Sequence, residues 1–262
     1  GGGVVWESES DHERVGKTPI GDVSLEQMQR AMQYAFSATD REVMNCGLVD
    51  GATSVCLSVS RTHLLVSNVG DSRAVLYEKR EGKRRGFEAV ALSNDHKPSR
   101  KDEMERIEAL GGHITNLGVP RVNGVLAISR AIGDVDYKRF LISDPEFKSI
   151  RRRAGQCFVV LATDGVWDVM TRKEVCELIC AHWGDIGHGA EACTQEAYRR
   201  GSCDNITVMV VDLESELLPT LSEERQRQDG QNESEELQPE SSASVRGDAD
   251  GYTAYDLLSA QE

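Results

Sequence analysis

The sequence predicts an α+β fold in one main domain, and three features indicate it. Short β-branched runs separated by turn residues cluster between residues 53 and 92, as in antiparallel strands. A continuous apolar run at residues 157–162 has the length of a buried strand. Segments whose apolar residues recur at helical spacing are grouped and do not alternate with the strands, which favours an α+β fold over a parallel βαβ sheet.

The first half of the chain is predicted to hold two helices and four strands. Ser24 is in a position to cap the first helix, in which apolar residues recur at helical spacing. The second helix ends at Gly111-Gly112, as a left-handed cap would end it. The predicted helices cover residues 25–43 and 99–110, and the predicted strands cover residues 53–59, 63–68, 73–77 and 87–92.

The second half is predicted to be less regular before the buried strand and helical after it. Residues 113–150 are expected to be irregular, with a short strand at residues 125–128. Two helices are expected over residues 172–182 and 189–200. A last strand over residues 206–213 shows weak alternation, which indicates burial on both faces.

Composition divides the chain into three segments. Residues 1–22 mix Gly, Ser and charged residues without periodicity and are predicted to be disordered or a linker. Residues 23–213 form the predicted domain, and residues 214–262 form an acidic, disordered tail. The tail holds 13 acidic and 3 basic residues, so its charge of −10 accounts for most of the −14 of the whole chain.

The charge and hydropathy patterns exclude several classes of function. No basic stripe with interleaved aromatic residues is present, which argues against a nucleic-acid ligand. No apolar stretch approaches the roughly 18 to 20 residues that span a bilayer, so we expect no membrane partner. The seven cysteines are scattered and form no Cys-x-x-Cys pair, so we expect no zinc site. Their odd number and scatter favour a reducing compartment, the cytoplasm or nucleus. No pattern in the sequence specifies an oligomeric state.

Three aspartates lie where predicted strands begin or end: Asp71, Asp164 and Asp204. Strand ends hold side chains rigidly at the rim of a sheet, so such carboxylates can converge on one point. Clustered oxygen ligands suit hard cations such as Mg²⁺ or Mn²⁺. The alternative is that each aspartate only forms a turn, which is common for this residue type.

Five motifs occur in a fixed order over residues 70–207. They are Gly70-Asp71-Ser72-Arg73, Asn94-Asp95-His96-Lys97-Pro98, the segment from Gly124 to Asp134, Asp164-Gly165-Val166-Trp167-Asp168, and Asp204-Asn205-Ile206-Thr207. In that order they resemble the motifs of phosphatase 2C enzymes, and Gly51-Ala52-Thr53 resembles the start of a core strand in that family. Each motif is weak alone, but the ordered set is specific.

The resemblance implies a four-layer sandwich of two antiparallel sheets flanked by helices, with the family's N-terminal strands missing. It also implies a centre of two or three Mg²⁺ or Mn²⁺ ions. In the family, metal-activated water attacks the phosphorus of phosphoserine or phosphothreonine in a phosphoprotein substrate.

The resemblance also assigns roles to individual residues. Asp164 and Asp204 become ligands of the catalytic metals, and Asp71 with Asp164 would hold a third ion. Asn205 and Asp168 are expected to orient those ligands. A further pair, Arg130 and Asp134, lies near the family's flap as substrate-binding candidates, although Arg130 fits an ion pair within the domain equally well. For His96, a structural hydrogen-bonding role is expected.

Two motifs expected upstream in the family are absent from this sequence, an Arg-x-x-Met-Glu-Asp stretch and an Asp-Gly-His-Gly-Gly stretch. Because the chain starts at Gly1, we expect a fragment of an active enzyme. The alternative is a catalytically inactive relative that binds phosphoproteins or a regulator. In either case little turnover is expected from residues 1–262, since the acidic residue that bridges the metals in the family is missing.

A calcium-binding tail is the remaining alternative, based on Asp248 and Asp250. An EF-hand loop would require acidic residues where Arg246 and Leu257 stand. The pattern therefore argues against calcium binding.

Overall fold

The computed structural model describes residues 24–79 and 86–214. Predictions for residues 1–22 and for the tail beyond Glu214 lie outside the described residues. The helices are α1 (Leu25–Asn45), α2 (Lys101–Ala109), α3 (Asp164–Trp167), α4 (Arg172–Ala181) and α5 (Ala190–Arg199). The strands are β1 (Gly51–Ala52), β2 (Ser54–Val59), β3 (His63–Val69), β4 (Arg73–Lys79), β5 (Phe87–Ala91), β6 (Ile114–Leu117), β7 (Val119–Val122), β8 (Ile132–Gly133), β9 (Glu146–Arg151), β10 (Gln156–Ala162) and β11 (Val208–Asp212).

Two antiparallel sheets form the centre of the molecule, which confirms the predicted α+β class. One sheet has four strands in the order β11-β10-β4-β5, and the other has three in the order β2-β3-β9. Two short pairs, β1 with β8 and β6 with β7, lie outside these sheets. Strand β10 is buried at all seven positions, as its continuous apolar run predicts.

The alternation of side chains along β10 separates two apolar layers. Val159 and Leu161 face the three-stranded sheet, while Phe158 and Val160 face helices α3, α4 and α5. Helix α1 contacts β3 and β8 on the opposite side of the molecule. The order of layers is therefore helix, sheet, sheet, helix, as the resemblance implies.

Helix α1 begins where the sequence predicts. The Ser24 hydroxyl accepts from the Gln27 N–H, and the Gln27 side chain accepts from the Ser24 N–H, forming a capping box. Its buried Asp40 accepts from the Gly133 N–H at 2.8 Å and from Lys138. Helix α1 therefore anchors the segment that contains Asp134. Among the described residues, no helix combines the length and apolar character that crossing a bilayer requires.

Three predictions for the second half of the chain are wrong. Residues 113–150 include the hairpin β6–β7 and strand β9. The sequence does not predict these strands, because charged residues interrupt their apolar pattern and the turn at Gly118 is short. Residues 125–128 form no strand, because the chain turns at Asn123-Gly124 with positive φ and only Leu126 bridges back to Val122. Strand β11 is an edge strand whose Met209 is 58% exposed, so it is not buried on both faces.

A buried ion-pair network around Glu103 joins α2 to the segment that follows residue 128. The Glu103 carboxylate is 1% exposed and accepts from Arg130 Nε at 2.9 Å and from Arg106 Nη2 at 2.8 Å. Burial alone would raise the pKa of Glu103, but the hydrogen bonds from both arginines outweigh it and lower that pKa from 4.5 to about 2.

Replacing Glu103 is predicted to destabilise the fold strongly. Glu103→Gln leaves two arginines without their buried partner and should lower the free energy of unfolding by about 3 kcal/mol at pH 7. Because the folded pKa is lowered, the contribution of the carboxylate is fully present above pH 4.5 and is lost as the pH falls through about 2. Urea unfolding of both proteins between pH 7 and pH 2 should show the difference shrinking over that window.

A matched control lies on the same helix. Glu105 is exposed and forms an ion pair with Lys101, at 3.8 Å, so Glu105→Gln should change the free energy of unfolding by less than about 0.5 kcal/mol. Equal stability of the Glu103 variant and the wild type at pH 7 would contradict the assigned role.

Candidate functional site

The register of the four-stranded sheet brings the three predicted aspartates to one edge. Ala162, the last residue of β10, pairs with Arg73 at the start of β4 and with Val208 at the start of β11. Asp164 follows Ala162 by two residues, Asp71 precedes Arg73 by two, and Asp204 lies in the loop that enters β11. Since both ladders end at the same residue, the three loops meet at one corner of the sheet.

The Asp71 turn is held in a conformation that only glycine adopts easily. Gly70 has φ +101°, and a Cβ there would lie 2.3 Å from Thr53 Cγ2. The hydroxyls of Thr53 and Ser72 are 2.9 Å apart across this turn. Asp71 itself is buried and forms an ion pair with Lys97 through Oδ2.

Hydrogen bonds fasten the Asp164 and Asp204 loops together. Thr163 Oγ1 donates to the Asn205 carbonyl at 2.9 Å and accepts from the Thr207 N–H at 3.1 Å. Gly165 permits this approach, because a Cβ there would lie 2.5 Å from the Asn205 carbonyl oxygen. Asp204 Oδ1 accepts from the Asn205 N–H at 2.7 Å, which orients its carboxylate.

The pKa of Asp164 reflects the charged residues that surround it at this corner. Burial raises the pKa of Asp164, and the negative charges of Asp71 and Asp204 raise it further. Lys97 opposes this effect. Burial lowers the pKa of Lys97, but the hydrogen bond and field of Asp71 outweigh it and leave that pKa raised.

The donor set fits a hard divalent cation in its chemistry but is incomplete in number. Carboxylate oxygens are the ligands that Mg²⁺ and Mn²⁺ prefer, and Asp71 and Asp204 place further negative charge near Asp164. Within the described ranges, however, no group of three or more His, Cys, Asp or Glu side chains is close enough to hold an ion.

The two residues expected to orient the ligands lie at the same corner. Asp168 acts electrostatically on Asp164 and also on Arg73, whose pKa is raised mainly by its hydrogen bonds to Asp95. Asn205 contributes through its backbone, with its N–H on Asp204 and its carbonyl on Thr163.

The two substrate-binding candidates are placed differently. Arg130 donates to Glu103 and to the Asp144 carbonyl, at 2.8 Å, so its guanidinium forms the ion pair within the domain that the sequence allowed. Asp134 is half-buried, has φ +55°, and lies against Gly51, where a Cβ would meet its carboxylate. Burial raises the pKa of Asp134.

His96 makes structural contacts. It is fully buried, and its backbone N–H donates to the Gly70 carbonyl at 3.0 Å. Burial is the main reason that the pKa of His96 falls from 6.5 to about 4, and the positive charge of Arg130 lowers it further. The imidazole is therefore neutral at pH 7.

The ion pair of Lys97 with Asp71 is a contact that sequence reasoning does not predict. Lys97 belongs to the Asn94-Asp95-His96-Lys97-Pro98 motif, and that motif is the available signal. The positive charge of Lys97 opposes the rise in the pKa of Asp164.

Comparisons with known proteins give a consistent result. The protein phosphatase 2C family pattern matches residues 10–206. Protein phosphatase 2C 77 of Arabidopsis thaliana is 41% identical over 221 residues, which cover 74% of this chain and 51% of the relative. Probable protein phosphatase 2C 59 of the same plant is 42% identical over 185 residues, covering 69% of this chain and 57% of the relative.

Solved structures share the fold. The structure of a C. elegans sex determining protein superposes with a TM-score of 0.66 at 25% identity, over 77% of this chain and 50% of that one. Serine-threonine phosphatase 2C from Toxoplasma gondii gives a TM-score of 0.65 at 24% identity, over 76% of this chain and 74% of that one. The chain spans about half the length of the first two Arabidopsis relatives that it matches. On the family pattern and these identities, the chain belongs to the protein phosphatase 2C family.

Proposed function

We propose that this chain is part of a metal-dependent protein serine/threonine phosphatase, which hydrolyses phosphoserine and phosphothreonine in phosphoprotein substrates. The observation that supports this proposal most directly is the position of Asp164, in the field of both Asp71 and Asp204 at the corner where both ladders of β10 end. Carboxylates are brought together against their repulsion, and a divalent cation would relieve it.

The proposed ligand roles are those that the resemblance to phosphatase 2C enzymes implies. Asp164 and Asp204 would hold the catalytic Mg²⁺ or Mn²⁺ ions, and Asp71 with Asp164 would hold a third. When bound, the ions lower the pKa of a water molecule and neutralise charge on the phosphoryl oxygens. The protein's own contribution is orientation: Thr163 ties the Asp164 and Asp204 loops together, while Asp168 and Asn205 keep the carboxylates aligned.

For substrate binding we propose unequal roles for the two candidates. Arg130 already donates to Glu103 and Asp144, so its proposed role is to hold the segment that leads to Asp134. Asp134 is left as the group that can meet a substrate. Its position depends on the Gly133 N–H and Lys138, which both bind Asp40.

A catalytically inactive phosphatase-like domain that binds phosphoproteins is the second candidate. The described residues contain no complete cluster of metal ligands. The sequence also lacks the two upstream motifs that supply further ligands in the family. Metal binding and turnover therefore have to be measured separately.

The proposed compartment is reducing, the cytoplasm or the nucleus. All seven cysteines lie in the described ranges and are free. Burial raises the pKa of Cys193 to about 11, and burial likewise raises the pKa of Cys157, to about 12, so both are held as thiols.

Mn²⁺ binding tests the proposed ligands. Wild-type protein should take up Mn²⁺ in a calorimetric titration, and Asp164→Asn or Asp204→Asn should weaken binding by at least about 10-fold, because each removes a ligand. Asp185→Asn is the charge-matched control, since Asp185 pairs with His182 in the loop after α4 and should leave the affinity unchanged. Equal affinity in all four proteins would refute the ligand assignment.

Thermal unfolding without metal should show the opposite effect of the same substitution. The raised pKa of Asp164 means that its ionised form is disfavoured in the folded protein, so Asp164→Asn should raise Tm in the presence of chelator. The same variant should lose the stabilisation that Mn²⁺ gives the wild type. A lower Tm in chelator would show that Asp164 is not strained by its neighbours.

Turnover by residues 1–262 is predicted to be little or none, because the missing motifs carry the acidic residue that bridges the metals in the family. Phosphate release from a phosphothreonine peptide should stay at the level of the Asp164→Asn variant in the presence of Mn²⁺. A clear Mn²⁺-dependent rate above that variant would show that these 262 residues hold a working site.

A further inference from the structure

Basic residues from three separate segments meet at the end of the molecule that lies away from the candidate site. Strand β10 runs from this end to Ala162 at the candidate site, so about 20 Å of strand separates the two. The surface is called the basic end, and its residues are Arg61 in the turn between β2 and β3, Arg151, Arg152 and Arg153 at the end of β9, and Lys79 at the end of β4.

Backbone hydrogen bonds hold the three segments of the basic end together. Arg151 is the last residue of the ladder between β3 and β9, beside the turn between β2 and β3. The backbone N–H of Arg152 donates to the carbonyl of Thr62 in that turn at 2.8 Å. The backbone N–H of Lys79 donates to the Gly155 carbonyl, also at 2.8 Å. The basic end is therefore one surface fixed by the sheet.

Acidic residues compensate the basic end only in part. Glu78 pairs with Arg153 at 2.7 Å, but the side chain of Glu78 is 14% exposed and that of Arg153 is 65% exposed. Glu88 pairs with Glu78 in the ladder between β4 and β5 and adds a second carboxylate. Arg61 and Arg151 are exposed, and neither forms an ion pair with another residue that the structure describes. The charges of these two arginines can therefore meet a further acidic group.

The chain leaves the described domain within the basic end. The Leu213 carbonyl accepts from Arg152 Nη2 at 3.3 Å, and Glu214 Oε1 accepts from Lys79 Nζ at 2.6 Å. Asp212 Oδ1 accepts from the Glu214 N–H at 2.9 Å. The first acidic residue of the tail is thus paired with a basic residue of this surface.

The sequence after Glu214 is complementary in charge to the basic end. Residues 215–262 hold twelve acidic and three basic residues. Five of the acidic residues fall within residues 229–240, and no basic residue does. Fifteen residues lead from Glu214 to Asp229, and an extended chain of that length reaches roughly 50 Å. Residues 229–240 can therefore return to the surface from which the chain departs.

We propose that residues 229–240 dock on the basic end of the same molecule, with acidic side chains on Arg61 and Arg151. Exposed ion pairs are individually weak, but the covalent connection favours them here, because it holds the acidic segment at an effective concentration on the order of millimolar. The candidate site at the other end of β10 carries three aspartates, so like charge disfavours docking there. This docking does not require the proposed phosphatase activity.

Nuclear magnetic resonance of the full 262-residue chain tests the docking. Charges interact over roughly 10 Å at about 0.1 M NaCl and over roughly 3 Å at about 1 M, so the amide signals of residues 229–240 should shift between the two conditions. In the double variant Arg61→Gln/Arg151→Gln at the lower salt concentration, the same signals should move at least half of the way to their high-salt positions.

The matched control removes the same charge elsewhere. Arg41 and Lys101 are exposed and belong to α1 and α2, outside the basic end. The double variant Arg41→Gln/Lys101→Gln should therefore leave the signals of residues 229–240 at their wild-type positions.

A variant of the tail gives the reciprocal measurement and leaves the sequence of the domain intact. Glu233→Gln/Glu235→Gln/Glu236→Gln should shift the amide signals of Thr62 and Arg151 towards their high-salt positions, because it removes the charges that face them. This measurement decides if the basic-end variant fails to fold.

Three outcomes would overturn the proposal. If the two arginine and lysine double variants shift the tail signals equally, or if neither shifts them, the basic end is not the docking surface. Unchanged signals of Thr62 and Arg151 in the tail variant lead to the same conclusion. Shifts that grow with protein concentration would identify a second copy of the chain as the occupant. Shifts confined to the basic-end and tail variants, at the same size in dilute protein, would support docking within one molecule.

Discussion

The position of Asp164, in the field of Asp71 and Asp204, is the constraint on which this end of the molecule depends. Asp71 and Asp204 act on Asp164 because the ladders of β10 with β4 and with β11 both end at Ala162. Strand β10 is buried along its whole length between two apolar layers, which fixes the point where the Asp164 loop begins. The fold therefore stabilises an arrangement that the charges alone would disfavour, as is common at functional sites.

A second polar layer supports this corner from within the domain. Glu103 joins the guanidinium groups of Arg106 and Arg130, and His96 joins the Gly70 turn to Ser129. Buried charges of this kind add little net stability compared with an apolar core, but their geometry is demanding. Their effect here is to hold the loops of the site in one arrangement relative to β3, β9 and α2.

Membership of the phosphatase 2C family is compatible with the small number of carboxylates at the described corner. The chain spans about half the length of the first Arabidopsis relatives, and its sequence contains the family's downstream motifs without the two expected upstream. Lys97, paired with Asp71, is the positive charge that partly offsets the remaining carboxylates.

The sequence by itself determined the elements whose patterns are local. The period of 3.6 residues predicted α1 and its cap at Ser24, and the apolar run predicted β10 as a buried strand. It did not predict β9, because the alternating charged residues of Glu146–Arg151 resemble an irregular surface segment until β3 pairs with them. It also placed β11 in the interior, although position at the edge of a sheet is a property of the assembled strands.

The same distinction applies to the site. The motifs identified Asp71, Asp164 and Asp204 as carboxylates at strand ends, since that requires only local pattern and turn chemistry. Only the tertiary structure decided that Lys97 pairs with Asp71, that Arg130 is held by Glu103, and that the His96 ring packs against the Gly70 turn. Each of these contacts joins residues at least 26 positions apart in the chain, and a contact between distant segments depends on strand register and burial, which no local pattern encodes.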